Sequence, residues 1–209
     1  MPRQLTPEAL DFAQLIRAGE TVGWAEATAE PVFLTRLLDT QAARCAPFRV
    51  FFPLTFSNTL GAGHPQVTVT ALGGASAGRR FFAGGADNVI PANISDLPGL
   101  IATGRLAIDI VLLQLSGPNA ARCYNAGLGI EHLDAAMAGA RLVVAQLNPQ
   151  LPWSDGDTMV EAAAIDLLVP VTEPPLELPM RPPSAVASAQ LTVSPARISL
   201  VKSSASGAS

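Results

Sequence analysis

The chain has 209 residues, 49% of them hydrophobic and only 14% charged, with a formal net charge of −4. Such a chain buries enough apolar surface to fold, which excludes disorder as the default. No basic cluster exceeds Arg79-Arg80, which excludes the electrostatic footprint of a nucleic-acid binder, and the longest apolar stretch, residues 106–115, falls well short of the ~20 residues of a membrane helix.

In chain order, Thr6-Pro7-Glu8 opens a helix that Leu10, Phe12, Ala13, Leu15 and Ile16 make amphipathic and Gly19 stops. Residues 21–25 (TVGWA) read as a strand, 26–30 as a loop and 31–43 as a second helix. Residues 48–53 (FRVFFP) and 66–72 (QVTVTAL) read as strands. Ser95-Asp96 caps a short helix through Ile101, ended by Gly104. Residues 107–115 (AIDIVLLQL) form the near-continuous apolar run of a parallel strand covered on both faces. A helix over 130–138 follows, then strands over 141–147 (RLVVAQL) and 165–169. Strands alternating with helices at this spacing predict an α/β fold, a mainly parallel sheet flanked by helices.

The composition shifts near Glu173. Residues 173–183 (EPPLELPMRPP) read as an extended proline-rich linker after a domain of residues 1–172. The last 26 residues, 184–209, hold eight serines against five in the preceding 183, and the single lysine, Lys202. This tail is expected to be disordered. The start of the chain lacks the apolar core of a secretory signal, and Cys45 and Cys123 stand alone, so the sequence reads as cytoplasmic with reduced thiols. So few charges leave little to solvate a free surface, and a further domain or subunit, or copies of the chain in a homo-oligomer, are expected to cover part of it.

Ligands of parallel sheets gather where the strands' carboxyl ends run into loops. Three such loops stand out: residues 26–31, 116–129 and 148–157. The first, in VGWAEATAEP, is either a helix start that offers N–H groups to an anionic ligand oxygen, or an ordinary helix start. Gly127-Leu128-Gly129 is too weak for a nucleotide fingerprint, and Asp155 and Asp157 lack the companion ligands of a calcium loop. His64 and His132 have no cysteine pair beside them, so no metal is expected. Cys123 reads as a buried or bystander thiol.

Together these segments resemble the acetyl-CoA hydrolase and 4-hydroxybutyrate CoA-transferase family, in its N-terminal domain. Trp24, Thr28, Ala29, Glu30 and Pro31 match its first motif, with Ala27 where the family has glycine. Asp109, Gln114, Ser116, Pro118 and Gly129 keep the register of the second. There Cys123-Tyr124 inverts the family's aromatic-cysteine pair, and the histidine-glycine before it is absent. Asn148, Pro149, Gln150, Pro152, Gly156, Asp157, Ile165 and Asp166 match the third and most specific. Residues 91–98 (PANISDLP) match more weakly.

The resemblance implies a CoA-transferase-like fold, coenzyme A as acyl-CoA substrate, a carboxylic acid as second substrate, and no metal. It also implies two α/β halves. A glutamate of the second half attacks the thioester to give a mixed anhydride, and returning CoA thiolate gives a glutamyl-CoA thioester. On this reading the chain carries no catalytic residue of its own, and the sequence is expected to stop where the second half begins, as a short subunit, a truncation or a frameshift product. Its substrate-binding candidates are Thr28, Glu30, Pro31, Ser116, Asn148, Pro149 and Gly156. The alternative is a non-catalytic remnant or a partner-binding module.

Overall fold

The computed structural model describes residues 1–52, 54–57, 59–60, 64–73, 88–130 and 132–178. Two units divide the chain, Met1–Glu177 and Leu178–Ser209. The proposed tail and most of the second unit lie outside the described residues.

The first unit is built on eight parallel strands. In chain order they are β1 (Arg3–Gln4), β2 (Thr21–Trp24), β3 (Phe48–Phe52), β4 (Val67–Leu72), β5 (Asn88–Ile90), β6 (Ile110–Leu115), β8 (Leu142–Leu147) and β10 (Leu167–Pro170). A separate antiparallel ribbon pairs β7 (Cys123–Asn125) with β9 (Met159–Glu161). The sheet order is β1-β10-β8-β6-β2-β3-β4-β5. From β2 the chain winds outward through β3, β4 and β5, then returns to the other side of β2 with β6 and winds outward again through β8 and β10. The direction of winding therefore reverses between β2 and β6, where parallel sheets open a crevice at their carboxyl edge.

All six residues of β6 are buried, as its apolar run requires. Alternation sorts the strands onto two cores. Val22, Trp24, Val50, Ile110, Leu112, Val144 and Val169 face one side, with Leu34 and Leu38 of α2 (Val32–Gln41) packed over them. Phe51, Val111, Leu113, Leu115, Val143 and Leu168 face the other, under Leu97 of α3 (Leu97–Ala102) and Leu133 and Ala136 of α4 (Leu133–Gly139). Each fully buried leucine of this kind contributes about 1.5–3 kcal/mol. At Gly23 no side chain fits: a Cβ would stand 2.9 Å from the Ile108 Cγ2 atom.

The helix expected from Thr6 is broken. A 3-10 turn (Pro7–Ala9) is followed by extended Leu10, and α1 (Phe12–Leu15) starts afresh with Asp11 as its cap, accepting from the Ala13 N–H. Gln41 of α2 explains the break. Its amide accepts from the Phe12 N–H (2.7 Å) and donates to the Leu10 carbonyl (3.1 Å), satisfying the groups that leave the helical ladder. The third helix has Asp96 at its N-cap, without a side-chain cap bond; the side-chain capping sits one turn earlier, where Asn93 and Asp96 form a capping box around the 3-10 turn Ile94–Asp96. The fourth starts at Leu133, three residues later than expected. Short strands β1, β5, β7 and β9 were not expected at all, since pairing alone defines them.

The amino edge of the sheet is held by charge. Asp109 accepts from the Thr21 N–H and Asp166 from the Val143 N–H, both at 2.8 Å. Arg141 forks onto Glu20 (2.5 and 2.7 Å) and also donates to the Leu15 carbonyl. The Arg141 hydrogen bond holds the Glu20 carboxyl below its ordinary pKa, against the opposing push of burial. A carboxyl depressed in the folded state contributes stability above its unfolded pKa of ~4.3, which is lost as pH falls through the folded value. Arg141→Ala should cost about 1 kcal/mol at pH 7. Urea titrations should show the gap from wild type narrowing below about pH 4; a gap independent of pH would contradict this assignment.

Candidate functional site

Four loops leave the carboxyl edge at or beside the winding reversal, after β2, β3, β6 and β8. The loop after β2 starts at Ala25 and turns through the 3-10 segment Ala27–Ala29. Ala27 adopts φ +53°, the left-handed region that favours glycine. Leu54 of the β3 loop holds it there, accepting from the Ala27 N–H at 2.8 Å.

Beneath this loop lies a relay of buried amides. Gln114 of β6 donates to the Thr28 carbonyl (3.2 Å) and accepts from Gln146 of β8 (3.4 Å), and Gln146 accepts from the Leu34 N–H of α2 (3.3 Å). The ends fix the direction of every amide: a carbonyl only accepts and an N–H only donates. At the start of α2, then, the Leu34 N–H is already engaged, and those of Val32 and Thr35 donate to the Glu30 and Pro31 carbonyls. Thr28 is half-buried, and Pro31 is buried at the N-cap of α2.

Glu30 is 1% exposed. Its carboxylate accepts from the hydroxyls of Thr35 (3.2 Å), Ser57 (2.5 Å) and Thr59 (3.2 Å) on one oxygen and Thr55 (2.6 Å) on the other. Thr35 belongs to α2 and the other three to the β3 loop, so this one carboxylate joins three segments.

The loops after β6 and β8 form a lobe with the β7–β9 ribbon. Ser116 is buried, and its backbone exchanges hydrogen bonds with Asn125 at 2.8 and 2.9 Å. Asn125, fully buried, uses both ends of its amide. It donates to the Ser154 carbonyl and the Thr158 hydroxyl, and it accepts from the Gly127 and Ser154 N–H groups. Gly127 must be glycine: its φ is +62°, and a Cβ would meet the Pro152 carbonyl at 2.6 Å. Asn148 is buried; its Nδ2 donates to the Glu173 carbonyl (2.7 Å), and its Oδ1 accepts from the Gln150 N–H. Pro149 and Gly156 are exposed, Gly156 at φ +123°.

Register brings Ser116 and Asn148 side by side, since β6 and β8 end in step at Leu115 and Leu147. The glutamine relay ties Thr28 to the same place. Glu30 and Pro31 lie on its α2 side, and no described contact links Gly156 to Thr28 or Glu30. The sequence reading passed over Asn125, Gln146 and the hydroxyls of Thr55, Ser57 and Thr59. One signal for Gln146 was present: β6 ends Gln-Leu-Ser and β8 ends Gln-Leu-Asn, a buried glutamine at the same place in two apolar strands. His64 pairs with Asp39 (2.7 Å), while His132 packs edge-on against Phe51. Among the described residues no three His, Cys, Asp or Glu side chains group around a metal position, and no helix is long and apolar enough to cross a membrane.

Residues 75–176 match the family model of the acetyl-CoA hydrolase/transferase N-terminal domain. The 4-hydroxybutyrate coenzyme A transferase of Clostridium kluyveri is 31% identical over 88 residues, 42% of this chain and 20% of that protein. The succinyl-CoA:acetate/propanoyl-CoA:succinate CoA transferase of Fasciola hepatica is 27% identical over 124 residues, 59% of this chain and 26% of that protein. In structure, RipA from Yersinia pestis matches with a TM-score of 0.77 at 20% identity, over 87% of this chain and 45% of that one. The 4-hydroxybutyrate CoA-transferase of Porphyromonas gingivalis matches with a TM-score of 0.63 at 21% identity, over 84% and 41%. The chain thus has a CoA-transferase fold and spans less than half the length of the relatives it matches. The family match takes in the loops after β6 and β8; the loop after β2 lies before it.

The lobe depends on Asn125. Asn125→Ala strands the Ser154, Thr158 and Gly127 groups and should cost about 2–4 kcal/mol in chemical denaturation. Hydrogen exchange should rise first in residues 148–158. Exchange rising evenly over the whole sheet would show that Asn125 supports the core and not the lobe.

Proposed function

We propose that this chain, related through its N-terminal domain to the acetyl-CoA hydrolases and CoA-transferases, forms one wall of an acyl-CoA cleft. It works as half of a CoA-transferase or acyl-CoA hydrolase acting on short-chain acyl-CoA thioesters and carboxylic acids. The observation that supports this reading is the Gln114–Gln146 relay, which ties the β2 loop and the start of α2 to β6 and β8 at the winding reversal, the two strands whose loops lie within the family-matched residues. Thr28, Pro31, Pro149 and Gly156 are the candidate substrate contacts; Ser116 and Asn148 stand behind them at the strand ends.

The covalent carboxylate comes from a second domain. Within this chain the best-placed carboxylate, Glu30, has both oxygens occupied by hydroxyls, so it is a poor nucleophile. The second domain's carboxylate adds to the thioester carbonyl and expels CoA as thiolate, leaving a mixed anhydride; the thiolate then attacks the glutamyl carbonyl, which releases the donor carboxylate and leaves a glutamyl-CoA thioester. An acceptor carboxylate runs the same exchanges in reverse and leaves as its CoA thioester, or water hydrolyses the glutamyl-CoA thioester and frees CoA. The backbone and side-chain donors of the loops orient the substrate, and the two halves exclude bulk water. We place this chemistry in the cytoplasm, in keeping with the two free thiols.

The alternative is a non-catalytic partner-binding module. Leu128, Trp153 and Met159, on the lobe of loops and ribbon, are 39%, 44% and 39% exposed, an apolar surface that a second subunit or another copy of the chain would cover.

Alone, the chain should release no CoA from acetyl-CoA in the presence of a carboxylic acid. Adding a glutamate-bearing second domain from a CoA-transferase should produce turnover, followed as free thiol. Turnover by the chain alone, abolished by one Glu→Ala change within it, would overturn the division of roles. Docking is tested separately: Trp153→Asp should weaken association in sedimentation by roughly tenfold or more with little change in stability. A chain that stays monomeric and ignores the second domain would leave the non-catalytic reading ahead.

A further inference from the structure

A carboxylate loses a large hydration energy when buried, and it stays ionised only where donors or cations replace the water. Among the described residues no ion pair reaches Glu30; hydroxyls alone do so. Those hydroxyls also touch one another. Ser57 and Thr59 stand 2.6 Å apart, and the Thr59 hydroxyl lies 3.1 Å from that of Thr35. Among the described residues the other ties of the β3 loop are the buried side chain of Leu60, whose φ is +51°, the hydrogen bond from the Ala27 N–H to the Leu54 carbonyl, and the His64–Asp39 pair. The sequence reading made Glu30 a substrate contact, yet its oxygens face inward to the protein's own hydroxyls.

We propose that Glu30 is a positioning residue: its buried carboxylate seats the β3 loop on α2 and the β2 loop, and it does not meet substrate. The hydroxyls of Thr55, Ser57 and Thr59 are the matching half of the joint. The seating holds whatever the chain binds; only its consequence for ligand rests on the acyl-CoA reading.

The test compares wild type, Glu30→Gln and Glu30→Ala in the full chain. Glutamine keeps the oxygen that takes three of the four hydrogen bonds, and its new N–H₂ group donates to Thr55, whose hydroxyl also accepts. Without ligand, Glu30→Ala should speed exchange of the amides of residues 54–57 and 59–60 by about tenfold or more, leaving β6 and β8 protected, and Glu30→Gln should stay close to wild type. If Glu30→Ala fails to fold, Thr55→Val gives the same localised loosening in milder form. Exchange unchanged in the loop, or raised evenly across the sheet, overturns the proposal.

A second arm adds acetyl-CoA and the glutamate-bearing domain. Glu30→Ala should weaken binding and Glu30→Gln should restore it, because shape and not charge is in use. Loss of binding in Glu30→Gln with the loop still seated would make Glu30 a substrate ligand and overturn the proposal. Absence of acetyl-CoA binding in wild type would count against the acyl-CoA reading alone, and the exchange arm would still decide the seating.

Discussion

A side-chain amide sealed inside a parallel sheet has to find a partner for each polar end, and at the carboxyl edge of this sheet two such amides set everything around them. Gln114 and Gln146 are each 2% exposed and lie opposite one another in register. Left unmet, either amide would cost about 1–3 kcal/mol. The partners that satisfy them are the Thr28 carbonyl and the Leu34 N–H, both from the segment that follows β2. The sheet therefore dictates where that segment turns, although it is separated from β6 and β8 by some 80 to 110 residues of sequence. Ala27 enters the left-handed region under this constraint, held from above by Leu54.

The same rule repeats at Glu30 and at Asn125, with different chemistry. Hydroxyls enclose the first; backbone groups and two side-chain hydroxyls enclose the second. Each joins loops that start from different strands. The polar residues of these loops thus divide by burial. Glu30, Asn125 and Asn148 are turned inward, onto partners within the loops, whereas Thr28, Pro149, Gly156 and Trp153 keep some exposed surface. A polar residue in a loop is a functional candidate only after the backbone groups around it have been satisfied.

That division was beyond reach of the sequence. The central strands were legible because burial on both faces writes a continuous apolar run, as in residues 110–115. The helix α2 was legible from its stripe of Leu34 and Leu38. The three loops were legible because parallel strands place them at one edge. The first helix was misread because its break depends on Gln41, thirty residues away, and no local pattern records that amide. Strands β7 and β9 were missed for a related reason: Cys123–Asn125 and Met159–Glu161 are three-residue segments defined by each other. Asn148 looked like a ligand from its motif, but whether its amide faces a cleft or the Glu173 carbonyl depends on where the chain returns after β10.

The two edges of the sheet use opposite electrostatics, and this bears on what the carboxyl edge can do. At the amino edge, Asp109 and Asp166 cap strand N–H groups and Arg141 neutralises Glu20, so ions are paired near solvent, where pairing costs little. At the carboxyl edge the supports described above are the glutamine amides and the hydroxyls around Glu30, with Glu26 a second buried carboxyl group in the same loop. Amide and hydroxyl dipoles hold the loops there, and in a poorly hydrated setting oriented dipoles act strongly on a charge that develops beside them. A thioester cleft needs that condition, because its carbonyl gains negative charge only as a nucleophile adds. On the proposed acyl-CoA reading the carboxyl edge supplies a shaped wall of dipoles, and the reacting charge arrives with the substrates or from the proposed second domain.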